Sequence, residues 1–446
     1  MKQILFLTLL FFSLVSVQAQ EIQSAAPQTL SLNTAIEIAL KNNVEVQQSN
    51  IRTETEHVYL KQARGKILPD LNASYTHGFN AGRSIDPSTN SYVDQQLSYA
   101  NPTLGSTLTI FNGFAILNTI RRNSLAYSAA KMEEQEARDN LTLQVILNYL
   151  QVLTNQDLLE LSRKQAETSL KQVERLEVLQ KEGAVTPADY YDLKGQYAND
   201  QMAVIASSNN LENSKLELAQ LLNVPYNKDI TFQSLDASQF SLVYEATPEQ
   251  VYNAALQSLA VVKAVDLRKR SADADVKVSR STYFPSVIVN GGLSTNYSSA
   301  AFEETGKTYS DQISNNLSKS VSVGVAIPLF NSFRTKNAVA LSKLNQRDAE
   351  LTAKSTRIQL QQLTEQAYFN MTSSKDRYTT LIDQVDAFSE SFRTAEVRFN
   401  AGAINSVNYL IAKNNLDRAN LNLIASRYDF ILRKKILDYY QGKSSW

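Results

Sequence analysis

Hydrophobic positions in this chain recur with two periods, and the switch between them happens at matching places in two halves. Val321, Val323, Val325, Ile327 and Leu329 alternate with Ser322, Gly324, Ala326 and Pro328. A period of two predicts a strand with one apolar and one small or polar face. Leu71, Ala73 and Tyr75 alternate in the same way with Asn72, Ser74 and Thr76, and Val287, Val289 and Leu293 share one side of their own segment. The predicted strands are 71–79, 103–111, 286–297 and 321–330, with polar loops at 81–100 and 298–318.

Elsewhere the period is helical. Residues 31–64 and 249–284 read as single helices, each running up to a strand window. After each window comes a very long helical segment, 114–182 or 335–400, and then a shorter return, 187–223 or 405–441. At 1.5 Å per residue the long segments reach roughly 100 Å, more than a compact globule needs. Their apolar positions, such as Leu170, Val173 and Leu176 or Leu341, Leu344 and Leu351, form a narrow stripe. Such a stripe suits a coiled-coil seam. By period alone, a secreted coiled coil that binds partners along its surface remains the rival reading.

The two halves are copies. Gly183 and Gly402 lie 402 − 183 = 219 positions apart, as do Tyr190 and Tyr409, and "IFNGF" at 110–114 repeats as "LFNSF" at 329–333. Pro69 and Pro285 are 285 − 69 = 216 apart, so three residues are gained between the strands. This predicts a first repeat over 20–227 and a second over 228–446. Of 13 glycines, eight fall in the two strand windows, which sets loops and strands there and helices elsewhere.

Composition narrows the function. Lys plus Arg and Asp plus Glu both number 44, intermixed, so no basic footprint for nucleic acid exists. The chain has no cysteine, which excludes disulfides, thiolate chemistry and a lipid-anchoring cysteine. Its two histidines, His57 and His77, lack metal-ligand spacing and read as surface or packing residues. No phosphate-binding loop, dinucleotide motif or nucleophile elbow occurs, so no catalytic residue, cofactor or metal ligand is assigned. The N-terminus, "MKQILFLTLLFFSLVSVQAQ", places a lysine, an apolar run and the small-residue pattern Val17-Gln18-Ala19 in secretory order. It predicts a signal peptide over 1–19, cleaved after Ala19. No later segment approaches the ~20 apolar residues of a spanning helix, so a membrane crossing would use strands. Phe111, Phe114, Tyr283, Phe284, Phe330 and Phe333 at one end of these strands, with Phe79 and Tyr297 towards the other, suit interfacial girdles.

The duplicated order of helix, strand pair and helical hairpin, the "IFNGF" and "PLFNSF" junctions, and "AEVRFNAGAINSVNYLIAKNNLDRA" at 395–419 resemble the TolC family of outer-membrane efflux proteins. The resemblance implies a mainly α chain with a transmembrane β-barrel. Three copies would close twelve strands and continue into a periplasmic α-helical barrel, with the polar linker 224–245 in a girdle around its middle. It implies an outer-membrane exit duct of a tripartite efflux or type I secretion system in a Gram-negative bacterium. The expected partners are two further copies, outer-membrane lipid, a periplasmic adaptor and an inner-membrane pump.

On that reading the lone glycines are the far ends of the duct. Gly402 ends one helix in the left-handed conformation and Asn405 caps the next; Gly183 and Thr186-Pro187 repeat the device. The adaptor-docking tips are then Gly183, Ala184, Val185 and Thr186 with Gly402, Ala403, Ile404 and Asn405. Similar proteins narrow the entrance with an aspartate ring on the second repeat, at positions that here are Asn408 and Ile411. The first-repeat equivalents are acidic, Asp189 and Asp192, one helical turn apart. They are candidates for the ring, while Asp189 also fits a capping box begun by Thr186.

Overall fold

The computed structural model describes residues 29–85, 90–94, 97–235 and 244–443. The expected signal peptide, 1–19, lies outside them. The chain opens with β1 (Thr29–Leu30), α1 (Leu32–Asn42) and α2 (Val44–Gly65). The first window holds β2 (Asn72–Asn80), β3 (Arg83–Ile85), β4 (Tyr92–Asp94) and β5 (Leu97–Asn112), followed by α3 (Ala115–Lys181) and α4 (Pro187–Leu222). The second half comprises β6 (Thr231–Phe232), α5 (Pro248–Ser258), α6 (Ala260–Ser281), β7 (Ser286–Ser294), β8 (Tyr297–Ser298), α7 (Ser299–Thr305), α8 (Tyr309–Asn315), β9 (Ser318–Ala326), α9 (Arg334–Asn400) and α10 (Ser406–Tyr440).

Several local features of the two halves match in three dimensions. Helices α3 and α9 both have 67 residues and both begin after two residues of positive φ, Gly113 and Phe114 or Ser332 and Phe333. The edge-to-face pair Phe111–Phe114 recurs as Phe330–Phe333, with ring centroids 5.3 and 5.7 Å apart. Left-handed backbone at these junctions leads into each long helix, directly from β5 in the first half and after the non-strand residues 327–333 in the second.

Four expectations need correction. The segments 31–64 and 249–284 are helix pairs, because Asn43 and Leu259 adopt extended backbone with ψ of 125° and 136°. Asn43 Oδ1 accepts from the amides of Glu45 and Val46, capping α2 where α1 stops. The predicted loops are partly ordered: 81–100 contains the β3–β4 pair, and 298–318 contains α7 and α8. The last strand is β9, three residues earlier than predicted, since Pro328 offers no amide and the chain turns towards Phe333. The linker 224–245 is less polar than it reads. Val224, Ile230, Phe232 and Leu235 pack into the main core with Leu141, Val145, Ile146, Tyr149 and Leu218, and β6 pairs in parallel with β1.

The sheet runs β2-β5-β7-β9, antiparallel throughout, with β8 extending the same edge of β5 beyond β7. Its register sorts the residues by face. One face carries the cross-strand rows Leu108–Val289–Val323 and Leu104–Leu293–Lys319. The other carries Ser74–Thr103–Ser294 and Thr107–Asn290–Ser322. Hydroxyls and amides on that second face bond across strands: Ser74 to Thr103 at 2.6 Å and Thr107 Oγ1 to Asn290 Oδ1 at 3.1 Å. On the apolar face Val321, Val323 and Val325 are 80%, 65% and 61% exposed, so the chain alone does not cover them. Among the described residues no helix is long and apolar enough to cross a membrane.

Candidate functional site

The two hairpin tips are built by one repeated set of bonds. At the end of α3 the amide of Ala184 donates to Leu179 O at 2.8 Å and that of Gly183 to Gln180 O at 3.0 Å; at the end of α9 Ala403 donates to Arg398 O at 2.8 Å and Gly402 to Phe399 O at 3.0 Å. This is the Schellman arrangement. It needs a left-handed residue, and the glycines supply φ of +73° and +70°. Thr186 then caps α4 by accepting from Asp189 N at 3.2 Å, and Asn405 caps α10 by accepting from Asn408 N at 3.1 Å. Val185 and Ile404, repeat partners, pack into one apolar cluster with Leu176, Leu193, Phe399 and Tyr409. The tips are therefore joined rather than splayed, and a cleft of about 740 Å³ runs between them, lined by both tip loops and by Arg175 and Asp189.

Both candidate aspartates lie at this junction and converge on one residue of the other hairpin. Asp189 Oδ1 accepts from Ser406 N at 2.9 Å, Asp192 Oδ2 accepts from Ser406 Oγ at 2.8 Å, and Asp189 Oδ2 also accepts from the Thr186 hydroxyl at 2.6 Å. Two carboxylates thus sit at the N-terminus of α10, where unpaired amides and the helix dipole favour negative charge. The Thr186 hydroxyl, aided by Ser406, holds the Asp189 carboxyl below its ordinary value. Asn408 bonds back to its own cap, Asn405, and Ile411 is exposed; neither reaches the first hairpin through a hydrogen bond.

Sequence reasoning missed what lies beside them. Arg175 bonds both the carbonyl and the side chain of Asn400, tying α3 to the end of α9. Higher up, Lys413 of α10 is 2% exposed and reaches Asp200 of α4 at 3.0 Å and Asp417 at 2.6 Å, while Ser169 of α3 donates to Asp200 and Gln196 fills its other oxygen. Burial pushes the Asp417 carboxyl up. The spacing of Lys413 and Asp417 hinted at a pair, but such pairs are usually on solvated faces. Further along, Arg427 and Tyr428 of α10 both contact Asp157 of α3. His57 packs flat on Tyr127, 4.8 Å between centroids.

Comparison with known proteins places this geometry in a family. The pattern that defines the outer membrane efflux protein family matches residues 35–224 and 251–435. The outer membrane protein TolC of Vibrio cholerae is similar at 23% identity over 385 residues, covering 83% of this chain and 81% of that one. In fold, the chain is similar to a membrane protein from Pseudomonas aeruginosa, with a TM-score of 0.77, 17% identity and coverage of 92% and 90% of the two chains. It is similar too to the outer membrane protein VceC of Vibrio cholerae, with a TM-score of 0.76, 16% identity and coverage of 92% and 96%.

Proposed function

Because the chain belongs to the outer membrane efflux protein family, we propose that three copies form one duct whose hairpin tips receive a periplasmic adaptor of an inner-membrane pump. The protein is an outer-membrane efflux channel of a Gram-negative bacterium with a large periplasmic portion, and its family consists of ducts rather than enzymes.

Closure by three copies is supported by what one chain leaves uncovered. Strands β2 and β9 are free edges of an even-numbered antiparallel run, so β9 of one copy can pair with β2 of the next in the same up-and-down sense. Three copies of the four long strands would give the twelve-stranded barrel, its apolar face in lipid and its hydroxyl-lined face towards the lumen. Two exposed stripes repeat every seven residues, Val44, Ile51 and Val58 on α2 and Leu344, Leu351 and Ile358 on α9. That spacing suits helix pairing between copies.

Docking at the tips is carried by one observation: two exposed loops of identical backbone, 219 positions apart, sit side by side at the far end from the sheet. The absence of cysteine makes the test clean. Ala184→Cys and Ala403→Cys, each carrying a photoreactive thiol probe, should cross-link in cells to one periplasmic protein that co-purifies with an inner-membrane pump. Cross-links that form equally from a probe at exposed Lys164, 181 − 164 = 17 residues before the end of α3, would remove the tips from consideration.

The entrance reading places Asp189 and Asp192 near the axis, six carboxylates in a trimer, with Asn408 and Ile411 as neutral neighbours. Asparagine at 192 keeps an oxygen for Ser406 but loses the charge. Asp192→Asn should therefore lower the cation selectivity and the multivalent-cation block of single channels in planar bilayers while the trimer persists. Unchanged selectivity in the Asp189→Asn, Asp192→Asn double variant would reduce both residues to holding α10.

A further inference from the structure

Although the whole chain balances 44 basic against 44 acidic residues, the helix ends next to the sheet are basic. Over 59–65 of α2, 275–281 of α6 and 334–340 of α9 stand Lys61, Arg64, Lys277, Arg280, Arg334 and Lys336, against one acid, Asp275. Asp275 is already bonded by Arg122 of α3 at 2.7 Å. All six cations are exposed, and among the described residues none is paired with a carboxylate. Like charges gathered at one level give this rim a positive potential that attracts anions.

Lys336 also borders a cavity. It has a volume of about 240 Å³ and lies between the α6–β7 turn and the β9–α9 connection, with Thr282, Tyr283, Leu329, Phe330 and Phe333 among its other walls. The Lys336 ammonium stands 5.7 Å from the centroid of the Phe333 ring, and the Thr282 hydroxyl donates to Ser279 O at 2.8 Å, so the polar side of the cavity is held in place. On its other side Leu329 and Phe330 are 93% and 76% exposed and follow directly on exposed Val325 and Ile327. A cation and hydroxyls beside bare hydrocarbon, at the helix end of a lipid-facing sheet, is the order in which a phospholipid presents its phosphate and its acyl chains. We infer that this cavity binds the headgroup of an anionic glycerophospholipid from the periplasmic leaflet, one per chain, and that the basic rim draws such lipids to it. The inference rests on the outer-membrane reading above, in which the helices lie on the periplasmic side. A second copy is a poorer occupant. Paired to β9 through its β2, it would bring Arg64 and Lys66 to the same rim, and its Asp70 is held by the Thr107 amide at 2.6 Å. The first repeat lacks the site, since 336 − 219 = 117 and 334 − 219 = 115 are Leu117 and Ala115.

Native mass spectrometry of the full-length protein, stripped of lipid in detergent and titrated with dioleoyl phosphatidylglycerol, tests this. One retained lipid per chain is expected, with much weaker retention of dioleoyl phosphatidylcholine, whose choline cancels the phosphate charge. Lys336→Gln should weaken phosphatidylglycerol binding about fivefold, the effect of one cation at a lipid surface, and Lys336→Arg should restore it. Lys319→Gln, at the opposite end of β9, should change nothing. Equal binding by Lys336→Gln and the parent, or equal retention of the two lipids, overturns the inference. Displacement by inorganic phosphate at the concentration of the lipid would mark a site for free anions and overturn it too. So would a Tyr283→Cys thiol that stays closed to a water-soluble reagent in the lipid-stripped protein, because the next copy would then fill the cavity. The same spectra report the copy number. Monomers that bind one phosphatidylglycerol through Lys336 would refute the duct and leave the lipid site standing.

Discussion

Val323→Arg is expected to destabilise the membrane-inserted protein by about 2–4 kcal/mol, the cost of a cation facing lipid near the bilayer midplane, whereas Ser322→Arg is expected to assemble normally. The contrast follows from register. Val323 lies mid-strand in the row with Val289 and Leu108, between the phenylalanines at the periplasmic end and Lys319 and Tyr297 at the other. Ser322 is its immediate neighbour but belongs to the row of Asn290 and Thr107. There an arginine would meet hydroxyls, amides and the water of the lumen. Denaturant titration of the protein folded into vesicles, with heat-modifiable gel mobility as a second readout, measures both variants. Equal losses at 322 and 323 would mean that the two faces are not lipid and water.

Native mass spectrometry in detergent should show three chains and no stable monomer, each chain with the mass of a protein beginning at Gln20. A lone four-stranded sheet in lipid would leave the edges of β2 and β9 without partners, and each unpaired backbone group in hydrocarbon costs several kcal/mol. Several such groups on each nine-residue edge together outweigh the roughly 5–15 kcal/mol by which ordinary domains are stable. A proline at Ser320 or Ser322 cannot serve as the edge test, because these residues also lie in the β7–β9 ladder. The copy number decides instead. A persistent monomer would leave β2 and β9 to be covered in some other way and would refute the duct. A chain mass that retains Met1 would contradict export through cleavage after Ala19.

The sequence by itself determined the features that depend on near neighbours in the chain. Period-two alternation around Val323, the 219-residue repeat, and the glycines that end α3 and α9 were legible because a strand face, a duplicated segment and a left-handed cap are each written in a few adjacent residues. The caps at Thr186 and Asn405 were legible for the same reason. Breaks at Asn43 and Leu259 were not, since neither glycine nor proline marks them and Leu259 makes no side-chain cap. The tertiary structure alone decided which residues of one hairpin meet which of the other. Asp189 and Ser406 are 217 positions apart, Asp200 and Lys413 are 213 apart, and no local pattern distinguishes them from the many solvated polar residues of these helices. Lys413 shows the physical reason most clearly. A lysine in a helix reads as exposed because a bare ammonium is costly to bury, and the packing of α4 against α10 adds Asp200 to the Asp417 of its own helix, the two carboxylates that make its burial tolerable.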